Sequence, residues 1–157
     1  MTSRLLALLL ALVPSLAGAA ATCSFSSTPG MSFGPYNDSS ATPTDSSTSI
    51  VVSCFRIGGP ADVTVTLQVG PSANSGTIAT RQMRSGANPM DYNLYRDAGR
   101  SLVWGQTSGT DTGSITITNI SNFGSKTGTF VIYGRIPALQ NVNAGAYSDS
   151  VTLTVSP

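Results

Sequence analysis

The stretch YSDSVTLTV, residues 147–155, sets Tyr147, Val151, Leu153 and Val155 on one side and Ser and Thr on the other. A period of two, carried by β-branched residues, describes a strand with one buried face. Only Ser156 and Pro157 follow, so no later alternating segment is on hand to lie beside this one. That places an expectation on the whole molecule: a β-structure short of a closing strand.

The same period recurs upstream. DVTVTLQV (62–69) puts Val63, Val65, Leu67 and Val69 on one face; TSIVVSC (48–54), SITITNI (114–120) and TFVIYGRI (129–136) read alike. Between them lie IGGP, GPSANSG, SGANP, SGTDTG and NFGSKTG, where Gly supplies positive φ and Asn, Asp and Ser favour turns. No stretch after residue 20 combines a helical period with caps. Short strands at regular spacing predict an antiparallel β-sandwich, with NDSSATPTDSS (37–47) as a surface loop.

Residues 1–19 read differently. Arg4 gives a positive start, Leu5 to Val13 form an apolar run, and Ala17-Gly18-Ala19 ends in small residues. This is the pattern of a secretory signal peptide, with cleavage after residue 19 or as late as 21. The run is shorter than the about 20 apolar residues that span a bilayer, so no membrane insertion is expected once it is removed. Residues 20–157 are then one domain.

Charge is scarce. Eight Lys and Arg face seven acids, all of them Asp, and removal of Arg4 leaves seven against seven. A neutral chain with 10% charged residues has no electrostatic footprint for nucleic acid. Its Ser/Thr/Asn/Gly surface repels neighbours weakly and suits a protein that packs against others. Cys23 and Cys54, an even pair in an exported chain, are expected to form one disulfide.

The chemistry of catalysis is thinly supplied. With no histidine the commonest general base, metal ligand and pH switch is missing. Lys126, the sole lysine, lies in a Gly-rich turn, and GQTSG (105–109) holds its serine one place too late for a nucleophile elbow. No catalytic, cofactor or metal site is expected. In DYNLY (91–95), alternation assigns Tyr92 and Leu94 to the core, with Trp104 joining from the next strand. Tyr95 and Tyr36 remain as candidate surface contacts. Arg81 and Arg84 in RQMR read as an outward polar face, and Asp91 and Asp97 as partners for Arg96, Arg100 or Arg135.

Taken in order, ATCSFS (21–26), FGPY (33–36), SIVVSC (49–54), VTLQVG (65–70), RQMRSGANPMDYNLYRDAGRSLVWG (81–105) and YGRIPALQNVNAGAYSDSVTLTV (133–155) resemble the spore coat protein U-like domain. That is the subunit type of archaic, Csu-like chaperone–usher pili. The resemblance implies an incomplete immunoglobulin-like β-sandwich missing its final strand. Beside the last strand it implies an apolar groove, with Val151, Leu153 and Val155 on the groove floor. A periplasmic chaperone would fill the groove first, and a strand from another pilin subunit would replace it at an outer-membrane usher. The protein would pass through the periplasm to the cell surface. A donor segment needs about ten residues at roughly 3.3 Å each, whereas at most Ala20, Ala21 and Thr22 precede Cys23 after cleavage. The expected place is therefore a cap or tip that accepts a strand without giving one. A spore or cell surface coat protein, and an adhesin or carbohydrate-binding module, are the alternative roles.

Overall fold

The structure is a computed structural model that describes residues 21–157; the signal-peptide reading of residues 1–19 lies outside them. Eight strands and no helix make up the described chain: β1 (Ala21–Ser27), β2 (Thr44–Arg56), β3 (Ala61–Ser72), β4 (Arg81–Ser85), β5 (Asn88–Tyr95), β6 (Gly113–Ile120), β7 (Gly124–Ile136) and β8 (Val151–Ser156). They form two sheets, ordered β1-β2-β7-β5-β4 and β6-β3-β8. Every strand pair is antiparallel. This is the expected immunoglobulin-like sandwich.

The alternating residues build the core. Ile50, Val52, Leu94, Phe130, Ile132 and Ile136 from the larger sheet meet Val63, Val65, Leu67, Val69, Ile117 and Ile120 from the smaller, all buried. Each such side chain contributes about 1.5–3 kcal/mol by leaving water. Cys23 and Cys54 stand directly opposite in the β1–β2 ladder and are joined as a disulfide. The bond fastens an edge strand that, among the described residues, has no other ladder partner.

Several expectations are corrected. Residues 44–47 are not loop: Thr44, Asp45, Ser46 and Ser47 pair with Ile136, Arg135, Gly134 and Tyr133 of β7. Their modest β-propensity yields to the ladder and to the face they share. Likewise β7 begins at Gly124 rather than within TFVIYGRI, which leaves Ser121–Phe123 as the turn. At the other end of the chain, the strand read over 147–155 starts only at Val151. Before it, Ser148 exchanges backbone hydrogen bonds with Arg84 of β4, at 2.9 and 3.1 Å, which draws residues 147–150 off the β8 line.

Trp104 is buried and stacks edge-on against Phe130 (centroids 6.3 Å apart), but it sits on the connection between β5 and β6, not on a strand. Its backbone N–H donates to the Leu94 carbonyl at 2.9 Å. Arg81 does not point outward: it is 0% exposed. Among the described residues, Asp91 and Asp97 make no ion pair. The Gln82 amide donates to Asp91 at 2.9 Å, and Asp97 accepts the N–H groups of Ser101 and Leu102. Arg100 and Arg135 instead reach Asp45, at 3.2 and 2.7 Å.

Candidate functional site

Two end strands leave the sandwich open along one side. Among the described residues, β8 is hydrogen-bonded only to β3, and β1 only to β2. β1 and β8 approach each other without pairing. Alternate residues of β8 therefore turn unpaired N–H and C=O groups toward the gap, the arrangement that invites another strand.

Between these edges lies a cleft of about 560 Å³. Phe25 of β1 and Val151 and Leu153 of β8 form its rims, with Ile50, Leu94 and Ile132 at its base. Val155 shares the half-buried face of β8 and packs on the core, yet it lies beyond the cleft lining. The sequence-predicted trio is thus split: two residues border the cleft and the third continues its line.

The cleft becomes polar where β8 begins. Tyr92, opposite Arg81 in the β4–β5 ladder, donates its hydroxyl to Asp149 Oδ2 at 2.7 Å. Asn74 donates to Asp149 Oδ1 from its side chain at 3.0 Å and from its backbone at 3.3 Å. Burial, together with the Asp149 charge, drives the Tyr92 hydroxyl far above the usual phenol range, so it stays a donor. Phe33 meets the Tyr92 ring edge-on at 6.0 Å. Behind this wall, Arg81 donates to the carbonyls of Val69, Gly70 and Trp104 and to Asn93 Oδ1. Burial lowers its pKa from the ordinary 12.5, and the carbonyl oxygens around it stand in for water.

The irregular segment 28–36 crosses the inner face of the larger sheet. Ser46 and Thr48 donate their hydroxyls to the carbonyls of Ser32 and Pro29. Gly134 of β7 makes room for it, because a Cβ there would strike Met31 Sδ and stand 2.7 Å from Phe33 Cζ. A second cavity, about 640 Å³, adjoins the cleft and shares Met31, Phe33, Met83 and Tyr147 with it.

The two candidate contact tyrosines are placed differently. Tyr36 is half-buried, and its hydroxyl joins two segments by donating to Pro137 O and accepting from Gln140 N, each at 2.8 Å. Tyr95 is half-buried beside Tyr133 in the β5–β7 ladder, away from the cleft lining. The guanidinium of Arg100 lies 5.8 Å over the Tyr133 ring. Among the described residues no three His, Cys, Asp or Glu side chains gather as a ligand set.

Sequence reading passed over Asp149 and set Arg81 on an outward face, whereas it is buried. The signal for both was parity: Asp149 stands in step with Tyr147 and Val151, and Arg81 in step with Met83.

Comparison with known proteins agrees with this architecture. Protein U of Myxococcus xanthus is 32% identical over 112 residues, which are 69% of this chain. The aligned part spans 58% of the length of Protein U. A chain of the CsuC–CsuE chaperone–tip adhesion subunit pre-assembly complex, from the archaic chaperone-usher Csu pili of Acinetobacter baumannii, superposes with a TM-score of 0.53. It does so at 18% identity, over 87% of this chain and 40% of that one, and so shares the fold. Residues 9–154 match the Spore Coat Protein U domain, and the chain belongs to that family.

Proposed function

We propose that this protein is a non-enzymatic structural subunit of an exported, chaperone–usher type surface assembly. In that role it accepts an extended strand from a partner in the cleft between β1 and β8. The observation that carries the proposal is the half-paired β8, bonded to β3 on one side and bordering an apolar cleft on the other. A strand laid there would pair with the free edge of β8, and its alternate side chains would enter the space beside Phe25, Val151 and Leu153. Val155 would extend the contact at the far end of β8.

Family membership supports the assembly role, and the fold shared with a chaperone–subunit complex supports a periplasmic chaperone as the first occupant. A strand from another subunit would follow at an outer-membrane usher. The terminal position belongs to the same proposal. Residues 21–27 are engaged with β2 and fastened through Cys23–Cys54, so this strand is not free to be donated.

Co-expression in a bacterial periplasm with a chaperone of the archaic class tests the reading. A one-to-one complex that protects the subunit from proteolysis is expected. Equal yield and equal protease resistance with and without the chaperone would contradict it. Immunogold labelling distinguishes a fibre end from the coat role that the family description suggests.

A further inference from the structure

Among the described residues, Asp149 is the one charged side chain that lines the cleft; the other polar lining residues, Thr28, Thr48, Tyr92, Tyr147, Ser148 and Ser150, are neutral. It is half-buried and stands two residues before β8. Its carboxylate receives three hydrogen bonds, one from Tyr92 and two from Asn74. It has no cationic partner: the ion pairs among the described residues join Arg100 and Arg135 to Asp45. Arg81, on the strand beside Tyr92, directs its donors to Val69, Gly70, Trp104 and Asn93 instead.

We infer that Asp149 makes the cleft selective for extended segments that bring a lysine or arginine to the end where β8 begins. The inference rests on the strand-accepting role proposed above. An ionised carboxylate offers about four acceptor positions, and here three are taken. A strand laid over the cleft removes the water that serves the remainder, and burying an anion without a new donor is unfavourable. A cationic side chain on the incoming strand restores the missing contact as a charge-assisted hydrogen bond. An apolar residue at that place leaves the penalty standing, and an acidic one adds repulsion. Selectivity thus comes as much from rejecting the wrong strand as from holding the right one. The rest of the described cleft lining is apolar or neutral polar and offers no other charge.

The test uses the full chain and capped peptides of about ten residues that alternate valine and serine. They carry Lys, Gln or Asp at one terminal position. Two series, varied at the first or the last residue, cover both strand directions. In one series the Lys peptide should bind about tenfold more tightly than the Gln peptide, with the Asp peptide weakest. The ratio should shrink with added salt and vanish in Asp149→Asn. Tyr92→Phe, which keeps the carboxylate and frees an acceptor position, should retain it. A purely structural Asp149 would change all affinities alike and leave the Lys-to-Gln ratio of the variant at the wild-type value, which would overturn the inference. Equal binding of the three peptides by the wild type would overturn it too, while leaving strand acceptance intact. Binding of none would overturn strand acceptance itself, and the selectivity with it.

Discussion

Arg81 on β4 donates to the carbonyl of Gly70 on β3 from both Nε (3.2 Å) and Nη2 (2.8 Å), so a wholly enclosed guanidinium joins the two sheets from inside. Gly70 also lies against β8, since a Cβ there would stand 3.2 Å from the Thr152 carbonyl. The β3–β8 register shifts between Val69 and Ser72, around this point. Arg81 therefore holds the irregular part of β3 that positions the start of β8. Replacing it with Ala leaves the Val69, Gly70 and Trp104 carbonyls and Asn93 Oδ1 without these donors in a dry interior. We expect a loss of about 3 kcal/mol or more in chemical denaturation. Lysine, a point charge without the planar fork, should recover only part of it.

The disulfide supports the other rim of the cleft. In the chain-entropy account, closing a loop of this span, with a sequence separation of 31, restricts the unfolded chain by about 3–4 kcal/mol. The double variant Cys23→Ser/Cys54→Ser should lose roughly that much by denaturant titration. Hydrogen exchange should quicken first in β1, which has no ladder partner other than β2.

Gly134 carries segment 28–36. Introducing Ala should force Met31 and Phe33 off the sheet, since both stand where the new methyl would go. Overpacking of this kind costs about 1–3 kcal/mol, measurable as a lower Tm. Gly134→Ala should also raise proteolytic nicking between residues 28 and 36, whereas an unchanged digestion pattern would show that the segment does not rest on Gly134.

Acid stability should reflect Asp45. Arg135, directly opposite in the β2–β7 ladder, donates to both its oxygens, at 2.7 and 2.9 Å. This hydrogen bonding, with the positive charge of Arg100 and Arg135, holds Asp45 below its ordinary value of 3.8. A carboxyl depressed in the folded state contributes fully above its unfolded pKa, and the contribution is lost as pH falls through the folded one. Both partners are about one-third exposed, so solvent screening limits the effect to below about 1 kcal/mol. Asp45→Asn should be slightly less stable at pH 7 and converge with the wild type in acid. A gap that widened in acid would contradict the assignment.

How much of this could be read from sequence depends on which interaction decides each residue. Val63, Val65, Leu67 and Val69 announce a buried face because the sheet's period of two is written in side chains a few residues apart. The same local signal gave Tyr92 and Leu94 to the core and put Val151 and Leu153 on one face. It failed where a distant partner decides. Arg81 is tolerated inside only because carbonyls from β3 and from the Trp104 segment converge on it; parity with Met83 marks its face but does not reveal those partners. Thr44–Ser47 become strand because β7 continues beside them. Residues 147–150 leave the β8 line because Ser148 finds Arg84, 64 positions earlier. The cleft was legible only as an expectation, since its base draws on β2, β5 and β7 at once.

The most direct test of strand acceptance is hydrogen–deuterium exchange of the full chain with and without a saturating, capped peptide of about ten alternating apolar residues. Leu153→Asp, which puts a charge on the rim of the cleft, serves as the control. Slower exchange across Val151–Ser156 and Ala21–Ser27 is expected when the peptide binds, with no such protection in the variant. Protection confined to other strands, or equal protection in Leu153→Asp, would contradict it.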